Sequence, residues 1–140
     1  MKRNRLAIFC NELASIRCIT DAASRHFELI WTQDAKSLRM AVEKEPAPTA
    51  VLVDNALAKN AAIDLLEQVR QARPDTARIL LTDYCDLSLI VAGLHTGAVQ
   101  KIVYKPIHPA ELLSAVGPPA LTMAMASQVP GGRQVGRAAG

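Results

Sequence analysis

The chain has 140 residues, of which 50% are apolar and 4% aromatic, and its formal net charge is +3. This length and composition fit one globular domain with an aliphatic core. The small positive charge does not by itself indicate a nucleic-acid-binding protein, because much of it comes from basic residues near the two ends. No apolar run approaches the roughly 20 residues of a membrane span, and residues 1–10 become polar too early for a secretory signal.

The three cysteines, Cys10, Cys18 and Cys85, form no CxxC pair and have no metal-binding spacing with the histidines. An odd number of irregularly spaced cysteines is typical of a cytosolic protein with reduced thiols. A redox role for Cys10 and Cys85 is the alternative, and buried inert thiols are the interpretation that we favour. We therefore expect a cytoplasmic protein.

Short apolar runs alternate with segments of helical periodicity along the chain. Strands are predicted at residues 6–10, 27–31, 49–54, 77–82 and 100–104. The first helix is predicted at residues 12–25, and the second begins after a cap at Thr32 or Asp34. The third is predicted around Ile63 to Val69, the fourth at 87–95 with its end near Gly97, and the fifth from Pro109 onward. Residues 55–60 are predicted to form a polar loop.

The order of these elements predicts an α/β fold. Strands one, three and four are nearly continuous apolar runs, as burial on both faces of a parallel sheet requires. Five strands alternating with five helices predict a doubly wound, five-stranded parallel sheet with helices on both faces. We assign residues 1–116 to this domain, and residues 117–140, which are rich in Gly, Pro and Ala, to a flexible tail or linker.

Three of the predicted strands end in a polar side chain. Val51-Leu52-Val53 is followed by Asp54, Leu80-Leu81 by Thr82, and Ile102-Val103-Tyr104 by Lys105-Pro106. The carboxyl ends of parallel strands meet at one edge of the sheet, where ligands bind in folds of this kind. A carboxylate, a hydroxyl and an ammonium group together at that edge indicate phosphoryl chemistry.

In this order and at these spacings, the three motifs resemble the receiver domain of bacterial two-component response regulators. Supporting motifs are Leu65-Leu66 with Arg70 and Pro74, Gly97-Ala98, and Glu111-Leu112. The resemblance covers roughly residues 5–116. It implies a flavodoxin-like fold with strand order 2-1-3-4-5 and a cis peptide bond between Lys105 and Pro106.

The resemblance also implies a signalling function rather than an enzymatic one. Asp54 would accept a phosphoryl group from a histidine kinase or a phosphotransfer protein, and Lys105 and the Thr82 hydroxyl would bind its oxygens. The surface of the predicted fourth helix and fifth strand would contact an output domain, another protein or a second copy of the chain. Nothing in the resemblance implies contact with a membrane or direct binding of nucleic acid by this segment.

The residues after strand one depart from the family pattern. Two adjacent acidic residues usually hold Mg²⁺ there, whereas this chain has Cys10 and Asn11, followed by Glu12. A thiol is a poor ligand for this hard cation. We therefore expect weak Mg²⁺ binding or none, with Asp54, Asn11 and the Ala56 carbonyl as ligands and Glu12 acting through water. The alternative for Glu12 is an acidic residue in the first turn of a helix.

Two further departures concern the neighbours of Thr82 and Lys105. Asp83 replaces a small residue and adds negative charge near an anionic product. Ile102 stands where an aromatic switch residue is usual, and we expect Tyr104 on the opposite face of the strand. Two versions stay open: a receiver that is phosphorylated at Asp54, and a degenerate pseudo-receiver that acts through protein contacts alone.

A small flavodoxin-like ligand-binding domain is the alternative from another class. A flavin-binding domain would need a hydroxyl- or glycine-rich loop after strand one to bind phosphate, and residues 10–15 do not supply one. A DNA-binding function would need a helix-turn-helix or a basic module, and none fits in the residues after Val116.

Overall fold

The computed structural model describes residues 4–58, 61–83 and 87–117 of the chain. The strands are β1 (Asn4–Phe9), β2 (Phe27–Thr32), β3 (Ala50–Asp54), β4 (Ala77–Thr82) and β5 (Lys101–Tyr104). The helices are α1 (Leu13–Ala23), α2 (Ala35–Glu43), α3 (Asn55–Ala58), α4 (Ala61–Ala72), α5 (Leu87–Thr96) and α6 (Pro109–Val116). The predicted tail, apart from Gly117 at the end of α6, lies outside the described residues.

The five strands form one parallel sheet in the order β2-β1-β3-β4-β5. This confirms the flavodoxin-like doubly wound fold. The central strand β3 is buried along its whole length, because helices cover both faces of the sheet.

The core consists of two layers, one on each face of the sheet. Strand residues of the first layer pack with α1 and α6, and they are Leu6, Ile8, Phe27, Ala50, Leu52, Ile79, Leu81 and Val103. Strand residues of the second layer pack with α2, α4 and α5, and they are Ala7, Val51, Val53 and Leu80. Successive side chains of a strand point to opposite faces, so a residue's position along its strand decides which layer it joins.

Local signals placed most element boundaries correctly. Asp34, rather than Thr32, caps α2, and its side chain accepts a hydrogen bond from the Ser37 amide at 2.7 Å. Gly97 follows α5 with a φ of 87°, a left-handed conformation that glycine adopts without strain. The Lys105–Pro106 peptide bond is cis, as the resemblance implies.

Two local predictions were wrong. Residues 55–58 form the short helix α3 instead of a polar loop, because two of its residues are alanines and Asp54 accepts a hydrogen bond from the Ala56 amide, as a helix cap does. Tyr104 lies on the same face of β5 as Ile102, since both pack against the second layer. The two residues are two positions apart, and strand side chains repeat with that period.

In the described part of the chain, no helix has the length and apolar character needed to cross a membrane.

Candidate functional site

Asp54 lies at the carboxyl end of β3, and its side chain is only 1% exposed. One carboxylate oxygen, Oδ2, accepts a hydrogen bond from Lys105 Nζ at 2.9 Å and one from the Cys10 thiol at 3.4 Å. The other, Oδ1, accepts from the Ala56 amide at 2.9 Å. These three donors offset the cost of burying a carboxylate and fix the orientation of the Asp54 side chain at the edge of the sheet.

The Lys105 ammonium lies between two carboxylates. Its Nζ is 2.9 Å from Asp54 Oδ2 and 3.2 Å from Glu12 Oε1, and the side chain is 17% exposed. Burial alone would lower the pKa of Lys105, but the hydrogen bonds and charges of Asp54 and Glu12 outweigh burial and raise it. Lys105 therefore carries a fixed positive charge next to Asp54 at neutral pH.

Glu12 immediately precedes α1, and its carboxylate is oriented by two neighbours. The Ser15 hydroxyl donates a hydrogen bond to Oε1, and Lys105 pairs with the same oxygen. Both contacts lower the pKa of Glu12, with the Ser15 hydrogen bond as the larger cause. Glu12 is thus an ion-pair partner of Lys105 as well as an acidic residue at the start of a helix.

Thr82 lies at the end of β4, and its hydroxyl is hydrogen-bonded to a neighbouring carbonyl rather than to Asp54. The hydroxyl donates a hydrogen bond to the Asp83 carbonyl at 3.0 Å. Leu80, two residues before Thr82, packs in the second layer, whereas Leu52, two residues before Asp54, packs in the first. The alternation of strand side chains therefore directs Thr82 and Asp54 to opposite faces. The backbone joins the strand ends instead, since the Lys105 amide donates to the Thr82 carbonyl at 2.8 Å.

Cys10, which the sequence places at one of the usual metal-binding positions, lies at the same site as a buried thiol. Burial is the main reason that the pKa of its thiol rises to about 11, and the nearby Asp54 carboxylate adds to the effect. The thiol is therefore protonated at neutral pH and donates to Asp54. The pairing of Phe9 with Val53 places the following residues, Cys10 and Asp54, side by side.

The predicted magnesium ligands do not form a site of the family's usual kind. Asn11 is exposed, Ala56 contacts Asp54 through its amide, and Glu12 is paired with Lys105. Among the described residues, no group of three or more His, Cys, Asp or Glu side chains is placed to hold a metal ion. The residues present therefore do not fit Mg²⁺, although receiver domains typically bind it.

Electrostatics lead to the same conclusion. A Mg²⁺ ion bound to Asp54 Oδ2 at ~2.1 Å would lie at most about 5 Å from Lys105 Nζ. At an effective dielectric constant of ~20, the gross repulsion between these charges is about 7 kcal/mol. The Asp54 carboxylate attracts the ion at a shorter distance and offsets this repulsion, but Cys10 and Asn11 supply neither of the two further carboxylates that would make binding favourable once the ion is desolvated.

A surface cleft of about 410 Å³ opens beside Lys105, between α1 and the segment after β5. Its lining includes Glu12, Ser15, Cys18, Asp83, Lys105 and Ile107. The Lys105 side chain, which is 17% exposed, is reached from solvent through this cleft.

Comparisons with known proteins agree with this arrangement. The model of the response regulator receiver domain family matches residues 14–117, a stretch that contains Asp54, Thr82 and Lys105. Among curated proteins, the hydrogenase transcriptional regulatory protein HoxA of Bradyrhizobium diazoefficiens is 24% identical over 106 residues, which are 76% of this chain and 22% of that protein. HoxA of Cupriavidus necator is 22% identical over 115 residues, 82% of this chain and 24% of that protein. The chain thus spans about a quarter of the length of these relatives or less.

Solved structures show the same fold. The N-terminal signal receiver domain of a response regulator from Bacteroides fragilis has a TM-score of 0.73 at 23% identity, with 91% of this chain and 100% of that chain covered. A response regulator receiver domain protein from Methanospirillum hungatei has a TM-score of 0.70 at 22% identity, with 91% and 97% covered. With the family match over more than half of its length, the chain belongs to the response regulator receiver domain family of two-component signal transduction.

Proposed function

We propose that this domain, which we take to extend to Val116, is a cytoplasmic phosphoryl acceptor with Asp54 as the accepting residue. The contact of Asp54 Oδ2 with Lys105 Nζ at 2.9 Å is the observation that most supports the proposal. It joins a buried carboxylate to a fixed positive charge at the sheet edge where this fold binds ligands. The free thiols of Cys10 and Cys18 fit the reducing cytoplasm.

The reaction would be a direct phosphoryl transfer. A carboxylate oxygen of Asp54 attacks the phosphorus of a phosphohistidine on a histidine kinase or a phosphotransfer protein, the phosphorus–nitrogen bond breaks, and an acyl phosphate forms. The Lys105 ammonium then stabilises a phosphoryl oxygen. Thr82 would bind another oxygen only after its hydroxyl leaves the Asp83 carbonyl, so its rotation would report the phosphorylated state.

Intact-protein mass spectrometry tests the proposal. After incubation with acetyl phosphate or a cognate kinase, with and without Mg²⁺, the chain should gain about 80 Da, the mass of one phosphoryl group. Asp54→Asn should abolish the gain. Asp64→Asn, which removes an exposed carboxylate from α4, should keep it. An adduct that persists in Asp54→Asn would show that another residue is the acceptor.

A degenerate pseudo-receiver is the second candidate, favoured by Cys10 and Asn11 at the positions of the usual acidic pair. The domain would then bind a protein partner or a second copy without phosphorylation. The expected surface on α5 contains three exposed apolar residues, Leu87, Val91 and Leu94. Of the residues predicted for this surface, Leu94 is exposed but Ile90 is buried against the second layer, and the side chain of Leu89 lies outside the described part of the chain. The absence of any adduct under all conditions would select this candidate over the first.

A further inference from the structure

We propose that the Asp54 and Glu12 carboxylates form a cation site whose resident cation is the Lys105 ammonium, with Glu12 as its positioning residue. The ion triple stands where the family usually places a divalent metal ion. The site itself does not depend on phosphorylation. Only its consequence, that Lys105 meets the phosphoryl group already in place, rests on the proposed function.

The geometry places one cation between two anions. Lys105 Nζ is within hydrogen-bonding distance of both Asp54 Oδ2 and Glu12 Oε1, at 2.9 and 3.2 Å. Asp54 is held by the Ala56 amide, and Glu12 by the buried Ser15 hydroxyl. Both carboxylates are therefore oriented toward the ammonium by groups other than the ammonium itself.

The remaining neighbours favour the ammonium over a divalent metal ion. The Cys10 thiol donates to Asp54 Oδ2, and an oxygen that accepts from both a thiol and an ammonium has little capacity left to ligate Mg²⁺. Two carboxylates and one ammonium leave one net negative charge, which is small for holding a divalent ion beside Lys105. Asp83 also lines the cleft, and its negative charge opposes the lowering of the Glu12 pKa, but its exposure to solvent weakens its attraction for an ion.

If the two carboxylates form a cation site, removing the ammonium should open it to a metal ion. We would titrate the ¹⁵N-labelled full chain with MgCl₂ alone, without a phosphodonor, and follow the amide resonance of Ala56, whose N–H bonds to Asp54. The native chain should show no saturable shift. Lys105→Met should show a saturable shift, with a dissociation constant at least about tenfold below the lower limit that the native titration sets, as expected when a competing charge is removed.

The role of Glu12 is tested in the same background. The double variant Glu12→Gln/Lys105→Met should lose most of the gained affinity, because one of the two carboxylates is then neutral. Lys101→Met is the matched control. It removes the same charge four residues earlier, in β5, but the Lys101 ammonium donates to the Ala115 carbonyl, so this variant should behave like the native chain.

Circular dichroism checks the fold of each variant. If Lys105→Met does not show the native spectrum, we would use Lys105→Gln in its place, because glutamine keeps a hydrogen-bond donor for the buried Asp54 carboxylate. Native binding of Mg²⁺ as tight as that of the Lys105 variant would overturn the proposal. Undiminished binding in the double variant would equally overturn the role of Glu12. Because no phosphodonor is present, a chain that is never phosphorylated leaves this test unaffected.

Discussion

One partly buried and one buried cation, Lys105 and Arg78, lie at opposite ends of the strands and are held in different ways. Lys105, at the carboxyl edge, contacts the carboxylates of Asp54 and Glu12. Arg78, near the amino end of β4, donates only to backbone carbonyls, those of Pro74, Thr76, Gly97 and Ala98. Among the described residues, no carboxylate lies within salt-bridge distance of Arg78.

The charge of Arg78 therefore has a structural role, whereas the environment of the Lys105 charge can change with its partners. Carbonyl dipoles are neutral and fixed by the backbone, so the Arg78 guanidinium ties the turn before β4 to the segment after α5. Burial lowers its pKa, yet a guanidinium stays charged at any physiological pH. Lys105, by contrast, has anionic partners that phosphorylation, acid or substitution can change. Stability should therefore depend mainly on the first cation, and chemistry on the second.

Arg78→Met should produce the largest loss of stability. It removes the donors to four carbonyls, and buried groups left without partners cost ~1–3 kcal/mol each before relaxation and water entry. We expect a loss of about 3 kcal/mol or more in the free energy of unfolding, measured by urea denaturation. Arg70→Met is the matched control, because Arg70 is exposed and pairs only with Glu67 on its own helix. Equal losses of stability in Arg78→Met and Arg70→Met would contradict the structural role of Arg78.

Cys10→Ala should have a smaller effect at the carboxyl edge. It removes a buried sulfur atom and one of three donors to Asp54, while the donors Lys105 and Ala56 remain. We expect a loss of about 1–2 kcal/mol in urea denaturation. Cys10→Ser, which keeps a hydroxyl donor, should recover part of it. A loss as large as that of Arg78→Met would mean that the two edges do not differ in this way.

Glu12→Gln should have the smallest effect on the free energy of unfolding, and of the three effects only this one should depend on pH. Because the pKa of Glu12 is lowered in the folded chain, its contribution is present above the ordinary carboxyl pKa and disappears as the pH falls through the lowered value. Glu12 is half exposed, so the contribution is on the order of 0.5 kcal/mol or less.

Urea denaturation at about pH 7 and about pH 3 should therefore show the difference between Glu12→Gln and the native chain closing in acid. The difference between Arg78→Met and the native chain should persist, since neither the guanidinium nor its carbonyl partners titrate in that range. A gap for Glu12→Gln that stays constant or widens in acid would contradict the ion pair with Lys105.

Prediction from sequence succeeded where the signal is local. The apolar runs around Leu52 and Leu80 predicted buried parallel strands, and Asp34 and Gly97 marked helix ends, because periodicity and capping depend on residues within one or two turns. It failed at residues 55–58, where the same Asp54 that ends a strand also starts a helical turn. Tyr104 was misplaced through a miscount of the strand period, which the sequence itself could have corrected.

The sequence by itself determined the fold and the order of the acceptor motifs, because both are recorded in local patterns and in their spacing along the chain. Only the tertiary structure decided which groups surround Asp54. Cys10 is 44 residues from Asp54 and Lys105 is 51 residues away, and their contacts depend on the register between strands that are distant in sequence. In the register between β3 and β4, Asp54 pairs with Leu81 rather than with Thr82, and Glu12 reaches Lys105 from the start of α1. The residue types indicated which chemistry the carboxyl edge of the sheet could support. The packing of the strand ends determined that the Lys105 ammonium is the cation that contacts the Asp54 and Glu12 carboxylates.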